Sequence, residues 1–259
     1  MRILFIGDIM GRPGRNAVPR VLPSLREEFG AFDFIVANGE NSAAGFGMTE
    51  KVMKELFSMG IDIITGGNHV WDKKEILPLL DSENRILRPA NHPKGTPGRG
   101  FGLFEKNGKR LAVISLQGRT FMPPLDCPFR TAERLAEGSS TPCILVDFHA
   151  EASSEKKALA CWLDGRVSLL VGTHTHVQTA DEQVLPGGTA FISDVGMTGG
   201  HGGIIGMTAD SVMPKFLYGI PTKFEVCDND VKFQAVVADI DDETGRAMDI
   251  HRINASCDN

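Results

Sequence analysis

Short apolar segments alternate with longer amphipathic ones through the first third of the chain, and each apolar segment ends at a glycine or a polar residue. Apolar runs this short are typical of strands buried on both faces, and amphipathic runs are typical of helices. The predicted elements are strands at residues 2–7, 34–37 and 61–65, a loop at 8–14, helices at 15–29 and from Thr49 to Ser58, and a capping box at 72–75. Strand alternating with helix predicts a parallel sheet with crossover helices, and therefore an α/β fold.

The rest of the chain predicts more hairpins than the first third. Residues 101–105 and 110–116 flank Asn107-Gly108, a dipeptide that favours a two-residue hairpin turn. The other predicted elements are a short helix after Phe129, strands at 143–148, 167–171 and 189–193, a helix from Ser153 or Ser154 to Trp162, a glycine-rich loop at 196–206, a helix near 209–218 and two strands turning at 228–230. We find no repeat or linker, so we expect one domain over residues 1–259.

The charge balance and the lengths of the apolar segments exclude two kinds of partner. Lys and Arg total 27 against 33 Asp and Glu, a net charge of -6, which argues against a broad surface for long nucleic acid. No stretch approaches the ~20 apolar residues that a membrane span needs. The five cysteines are scattered and form no CxxC pair, which favours buried thiols in a reducing compartment. We therefore expect a cytoplasmic protein with a small substrate.

Polar residues follow five of the predicted strands. In open parallel sheets, ligands bind beyond the carboxyl ends of the strands, so these residues are expected at one edge of the fold. They are Asp8, Glu40, Asn41, Asn68, His69, His149, His174 and His176. Taken singly, an Asp or Asn there more often turns the chain or caps a helix, and a lone strand-end histidine is more often only hydrogen-bonded. Taken jointly, two carboxylates, two amides and four imidazoles are better explained by a metal site.

The types of donor indicate which kind of metal site this is. Carboxylate, amide and imidazole donors without thiolate suit Mn, Fe or Zn with open coordination positions, and not a closed structural zinc site. About seven donors are too many for one ion, but they fit two ions ~3.5–4 Å apart that share a bridging carboxylate. Such a pair lowers the pKa of a bridging water and clamps a phosphoryl group. A histidine outside the coordination shell could then protonate the leaving oxygen.

The same residues resemble the motif series of the calcineurin-like metallophosphoesterases. The matching motifs are Gly7-Asp8, Gly39-Glu40-Asn41, Gly67-Asn68-His69, His149 and Gly172-Thr173-His174-Thr175-His176. The chain is more similar still to the YmdB-like bacterial branch, in the stretches 10–15, 38–47, 88–91, 118–122 and 194–199. Two features differ from the wider superfamily: Met10 stands where a histidine is usual, and Glu40 followed by Asn41 replaces the usual bridging aspartate.

The resemblance implies a four-layer α/β sandwich, two mixed sheets flanked by helices, with two metal ions. Asp8, Glu40, Asn41 and His176 would hold the first ion, Glu40 would bridge, and Asn68, His149 and His174 would hold the second. His69 would be the general acid. Fe or Mn are the expected metals, with Zn or Mg as alternatives. The branch is associated with phosphodiesterase activity, including activity on 2′,3′-cyclic nucleotides, and with homo-oligomers.

Several alternatives stay open at this stage. The same site could serve a phosphomonoesterase or a nuclease, or a regulatory protein that binds metal and nucleotide with incidental turnover. Gly7, Gly11 and Gly14 do not have the GxGxxG spacing of a dinucleotide-binding loop. Arg119 could contact phosphate or be structural, since guanidinium groups match phosphate oxygens. His201 could contact substrate or lie in a flexible loop, while His92 and the surface residue expected at His251 have no predicted role.

Overall fold

The computed structural model describes residues 1–257, which form two mixed β-sheets with helices on their outer faces. In chain order, the fourteen strands of these residues are β1 (Arg2–Ile6), β2 (Asp8–Ile9), β3 (Phe34–Asn38), β4 (Ile63–Thr65), β5 (Ile86–Leu87), β6 (Phe101–Lys106), β7 (Lys109–Gln117), β8 (Ile144–His149), β9 (Leu169–Thr173), β10 (Gln183–Val184), β11 (Ala190–Ile192), β12 (Met197–Gly200), β13 (Val231–Ile240) and β14 (Ala247–Ser256). The six α-helices are α1 (Gly11–Phe29), α2 (Glu50–Ser58), α3 (Leu77–Ser82), α4 (Pro128–Glu137), α5 (Ser153–Leu163) and α6 (Ala209–Tyr218).

The first sheet contains the parallel strands that the alternating pattern predicts. Its order is β2-β12-β13-β1-β3-β4-β5, with β14 paired to β13. Strands β1, β3, β4 and β5 run parallel, and Ile3 of β1 lies opposite Phe34 of β3. Strand β13 joins β1 from the other side and runs antiparallel to it. The α/β prediction for the first third is confirmed.

The second sheet has the order β10-β11-β9-β8-β7-β6, and its four central strands are also parallel. The prediction of more hairpins after the first third is confirmed by the antiparallel pairs β10–β11 and β13–β14 and by the predicted hairpin of β6 and β7. Asn107 and Gly108 turn this hairpin with φ of 51° and 77°, as a type I′ turn requires at both central positions.

Alternating residues of each strand face opposite sides of a sheet, which produces four layers. Ile3 and Phe5 of β1 pack between the sheets with Leu145 and Val171 of the second sheet. Leu4 and Ile6 of the same strand face outward and pack in another cluster with residues of α1 and α2. The outer face of the second sheet packs against α4 and α5. The predicted four-layer α/β sandwich is confirmed.

Three predicted helix starts are wrong. Helix α1 begins at Gly11 and not at residue 15. Pro13 is compatible with this start because it lies in the first turn, where a backbone N–H has no helical partner. Neither Ser153 nor Ser154 caps α5, whose N-cap is Ala152 without a side-chain hydrogen bond. The capping box at residues 72–75 is replaced by a 3₁₀ turn (Lys74–Ile76) before α3, with no side-chain cap.

The strands of the last third of the chain differ from the prediction. The predicted glycine-rich loop at 196–206 includes β12, which pairs with β2 and β13. The predicted turn at residues 228–230 joins no strand pair; the long hairpin is formed by β13 and β14, with residues 241–246 between them. His251 is exposed on β14, as expected for a surface residue. The single-domain organisation stays a prediction, and residues 258 and 259 lie outside the described chain.

Over residues 1–257, none of the helices combines the length and the apolar composition that a membrane-crossing segment needs.

Candidate metal centre

The ends of strands from both sheets meet at one site, and all eight residues that the sequence singled out lie there. The first sheet carries Asp8 on β2, Glu40 and Asn41 after β3, and Asn68 and His69 after β4. The second sheet carries His149 at the end of β8, and His174 and His176 after β9. Five of the eight side chains are buried: Asp8, Glu40, Asn41, His149 and His176.

Four of these side chains converge on one point. Nε2 of His149 lies 2.8 Å from Glu40 Oε1, 3.0 Å from Asn68 Oδ1 and 3.0 Å from His174 Nδ1. A single ring nitrogen cannot donate to three acceptors at once, and Glu40 Oε1 is buried without a hydrogen bond of good geometry. Lone pairs pointed at one another in this way fit a bound cation. Glu40, His149 and His174 by themselves form a group able to hold a metal ion.

Hydrogen bonds behind the imidazoles fix which nitrogen faces this point. His149 Nδ1 lies 2.9 Å from Thr173 Oγ1, and the Thr173 hydroxyl in turn donates to Asp147 Oδ1 at 2.7 Å. The proton of the neutral His149 ring therefore belongs on Nδ1, which leaves the lone pair of Nε2 for a metal. His174 is held in the opposite sense, with Nε2 3.2 Å from Glu151 Oε2 and Nδ1 inward. Asp147, Thr173 and Glu151 were not predicted from the sequence.

A second group forms around Asp8, Asn41 and His176. The Asn41 amide lies 3.3 Å from Asp8 Oδ1 and 3.1 Å from His176 Nε2. Amide oxygen and nitrogen occupy equivalent positions, so this placement also serves an oxygen ligand. His176 Nδ1 donates to the carbonyl of Ile205 at 2.9 Å, which again leaves the inward nitrogen free. Asp8 Oδ2 accepts the backbone N–H of His174 at 3.2 Å and so connects the two groups.

The buried carboxylates and imidazoles of the site shift one another's pKa values. Burial opposes charge on Asp8, yet its hydrogen bond with His176 and the nearby imidazoles hold its pKa below the usual range. Burial likewise opposes ionisation of Glu40, but His149 lowers its pKa. Burial opposes a proton on His149, but Glu40 and Asp8 raise its pKa to about 9. Burial and the charge of His149 lower the pKa of His174 to about 3. A divalent ion would displace the proton of His149 and supply the counter-charge.

One glycine allows the His149 ring to occupy its position. A Cβ atom at Gly67 would lie 2.1 Å from Cδ2 of His149, closer than any side chain can approach. The strand-to-loop turn at β4 must therefore contain glycine for Asn68 and His149 to come together.

His69 lies beside the donors and is held by its neighbours. Its backbone N–H donates to Glu40 Oε2 at 3.0 Å, and its ring packs edge-on against Phe46 at 4.9 Å between centroids. Nδ1 lies 2.8 Å from Asp72 Oδ2, so the neutral ring donates there and Nε2 is the nitrogen free to face a substrate. The sequence reading assigned Asp72 to a helix cap; its spacing of three residues from His69 was the signal that it missed.

If His69 is the general acid that the family resemblance implies, Asp72→Asn should lower kcat by roughly 10- to 100-fold, the usual cost of removing the partner that orients such an imidazole. An amide can turn its NH₂ toward Nδ1 and so stabilise the wrong tautomer. The measurement is kcat together with metal content, which should stay at the wild-type value. Glu75→Gln, a similar change in an exposed carboxylate three residues away, is the control. An unchanged kcat in Asp72→Asn would remove Asp72 from the mechanism.

Three residues with open roles lie away from the donors. Arg119 is on an exposed loop with its guanidinium 3.5 Å from Cys127 Sγ. His201 bonds through Nε2 to the carbonyl of Met197 at 3.0 Å, which holds the loop after β12. His92 packs edge-on against Trp71, and burial lowers its pKa. None of these contacts joins a candidate metal donor, and the roles of the three residues stay open.

The two-sheet sandwich, with carboxylate, amide and imidazole donors at the carboxyl ends of its strands, defines the chain as a metallophosphoesterase by fold. A family model described as YmdB-like protein matches residues 4–253, nearly the whole chain. The chain belongs to the YmdB-like family.

Relatives of known sequence or structure agree with this assignment. A 2′,3′-cyclic-nucleotide 2′-phosphodiesterase of Bacillus subtilis (strain 168) is 52% identical over 255 residues, which cover 98% of this chain and 96% of that protein. The crystal structure of a hypothetical protein from Thermus thermophilus superposes with a TM-score of 0.93 at 44% identity and covers 99% of both chains. A phosphatase from Mycoplasma pneumoniae superposes with a TM-score of 0.93 at 32% identity, covering 99% of this chain and 93% of that one.

Proposed function

We propose that this protein is a dinuclear metal-dependent phosphodiesterase that hydrolyses small phosphodiesters, with 2′,3′-cyclic nucleotides as its substrates. The observation that carries the proposal is the convergence of Glu40, Asn68, His149 and His174 on one point beside His69. The name of the Bacillus subtilis relative supports the choice of substrate.

The residues would hold two ions in the arrangement that the family resemblance implies. Asp8, Asn41 and His176 would bind the first, and Asn68, His149 and His174 the second, with Glu40 shared between them. When bound, such a pair supplies a water of lowered pKa and neutralises charge on the phosphoryl oxygens. The oxygen and nitrogen donors favour Fe or Mn, and they also accept Zn or Mg.

The chain's own residues place and move the proton. Water gives up one proton to solvent and its oxygen bonds to phosphorus, while the bond from phosphorus to one ribose oxygen breaks. That oxygen takes the proton from Nε2 of His69 in its imidazolium form, and solvent then returns a proton to the ring. Asp72 keeps the ring in the orientation that presents Nε2, and Glu40 fixes the His69 backbone. A cyclic phosphodiester suits the site because its leaving oxygen stays attached to the ribose and needs no long binding groove.

Two further properties belong to the same proposal. We propose a cytoplasmic location, which is supported by the free thiols of Cys127, Cys143, Cys161 and Cys227, two of them buried. We also propose a homo-oligomer, on the resemblance to the family. A phosphomonoesterase or nuclease on the same donors, or a regulatory metal- and nucleotide-binding protein, is the alternative.

The deciding experiment compares 2′,3′-cyclic AMP, bis-p-nitrophenyl phosphate and p-nitrophenyl phosphate as substrates of protein reconstituted with Fe or Mn. We expect turnover of both diesters, lost in Asn68→Ala together with bound metal, and retained in Asn84→Ala, where the asparagine is exposed. Turnover of the monoester alone would reassign the protein as a phosphatase. No turnover with two metals bound would leave the regulatory role.

A further inference from the structure

A cleft of about 410 Å³ opens beside the metal centre. One wall consists of site residues already described, including His69, His174 and His176. The remaining wall is almost entirely apolar and comes from parts of the chain that the sequence reading gave no function. It includes Phe46, Ile205, Lys215, Phe216 and Phe224.

The apolar wall is not explained by phosphate chemistry. A metal pair and a phosphoryl group need polar surroundings, whereas this wall presents three phenylalanines. The rings of Phe46 and Phe224 lie nearly parallel, with an interplanar angle of 29° and centroids 6.4 Å apart. Phe216 on α6 is 74% exposed and Ile205 is 55% exposed, although both line the cleft. Large apolar side chains left open to water beside a site indicate a ligand group that covers them.

The aromatic wall is continuous with the proposed acid. Phe46 contacts both the His69 ring, at 4.9 Å, and the Phe224 ring. A ligand group packed on Phe224 would therefore be separated from His69 by the ring of Phe46 alone. The ammonium of Lys215 lies 5.3 Å from the Phe224 centroid and adds a positive charge to an otherwise apolar wall.

We infer that this cleft binds the nucleobase of the substrate by stacking on Phe224, with Phe216 and Ile205 covering it; the inference rests on the proposed function. Apart from His69 and the residues of the metal centre, Lys215 is the one polar side chain among the described residues that line the cleft. Recognition is then by the face of the base and not by its edge, because every base offers a π-face while few groups can read its hydrogen-bonding edge. The cleft accepts purine and pyrimidine nucleotides and discriminates against diesters without a base.

The test compares three diesters: 2′,3′-cyclic AMP, 2′,3′-cyclic CMP and the base-free 1,2-cyclic phosphate of glycerol. Phe224→Ala is expected to raise the KM for both nucleotides about tenfold relative to the KM for the base-free diester, the usual effect of losing one stacking ring. Phe224→Tyr, which keeps the ring, should restore the wild-type ratio. Phe216→Ala should shift the ratio in the same direction, and its exposed position makes folding damage small.

Phe57→Ala is the matched control. Phe57 is partly buried like Phe224 and also lies beneath a cation, with the Arg85 guanidinium 3.8 Å from its centroid, but it does not line the cleft. Its KM ratio should equal that of the wild type. Equal KM values for nucleotides and the base-free diester in the wild type would overturn the inference while the phosphodiesterase stands. If no diester is hydrolysed, binding of adenosine 3′-monophosphate decides: equal affinity in wild type and Phe224→Ala would overturn it.

Discussion

Replacing His69 with alanine is expected to lower kcat for a 2′,3′-cyclic nucleotide by about 10²- to 10⁴-fold, the usual contribution of a general acid. The ring would be lost, but the backbone N–H that holds Glu40 Oε2 would stay, so the donors around His149 should keep their places. The measurement is steady-state kcat with metal content determined on the same sample. Two ions should remain bound.

Two substrates with different leaving groups distinguish a general acid from a residue that only packs in the site. A ribose alkoxide needs a proton to depart, whereas p-nitrophenolate departs without one. His69→Ala should therefore lose far more activity on the cyclic nucleotide than on bis-p-nitrophenyl phosphate. His251→Ala, an exposed histidine on β14, controls for the substitution itself. Equal losses on the two substrates would contradict the assignment, and a cellular phenotype that survives without turnover would favour the binding role.

Removing the carboxylate of Asp194 is expected to destabilise the fold by about 3–5 kcal/mol. Lys156 is 2% exposed, and its ammonium lies 2.6 Å from Asp194 Oδ2, so Asp194→Ala leaves a buried charge without a partner. The same carboxylate accepts the backbone N–H and the hydroxyl of Thr175 at 3.2 and 2.8 Å. Thr175 stands between His174 and His176, which both adopt positive φ, at 100° and 64°. Loss of Asp194 therefore affects metal binding as well as stability.

Urea unfolding and metal titration measure the two effects separately. The double variant Lys156→Met/Asp194→Leu should recover much of the stability, because no buried charge is left unpaired. It should not recover metal affinity, because the bonds to Thr175 remain lost. Breaking the exposed pair of Lys54 and Glu50 should cost less than about 1 kcal/mol. If Asp194→Ala lost as little stability as the Lys54–Glu50 variant, or if the double variant bound metal with full affinity, Asp194 would not have this role in stability and metal binding.

The sequence predicted the strands and the residues that follow them because both signals are local. A buried parallel strand is apolar throughout, and the glycine or polar residue at its end marks where it leaves the sheet. Glu40, Asn68 and His149 could therefore be placed at one edge before any contact was known. Their roles as ligands stay predictions. The four-layer sandwich followed from the motif resemblance and is confirmed.

The elements that were wrong depend on contacts between distant parts of the chain. Asp72 is the exception, because its carboxylate bonds the ring of His69 only three residues away, a spacing that is visible in the sequence. Strand β12 is rich in glycine and becomes a strand only because β2 and β13 lie on either side of it. The sequence around Phe224 does not indicate a function, because the cleft forms only where Phe224 packs against Phe46, which lies far away in sequence. Local propensity cannot report such partners.

The candidate ligands come from both sheets, four from the first and three from the second, counting Asp8, Glu40, Asn41 and Asn68 against His149, His174 and His176. Bound ions would therefore link the two sheets, which are otherwise held together by apolar packing. Ligation then favours the native state by mass action, by about 2.7 kcal/mol when free metal exceeds its dissociation constant a hundredfold. Removal of the metal would therefore lower the stability of the folded protein as well as its activity.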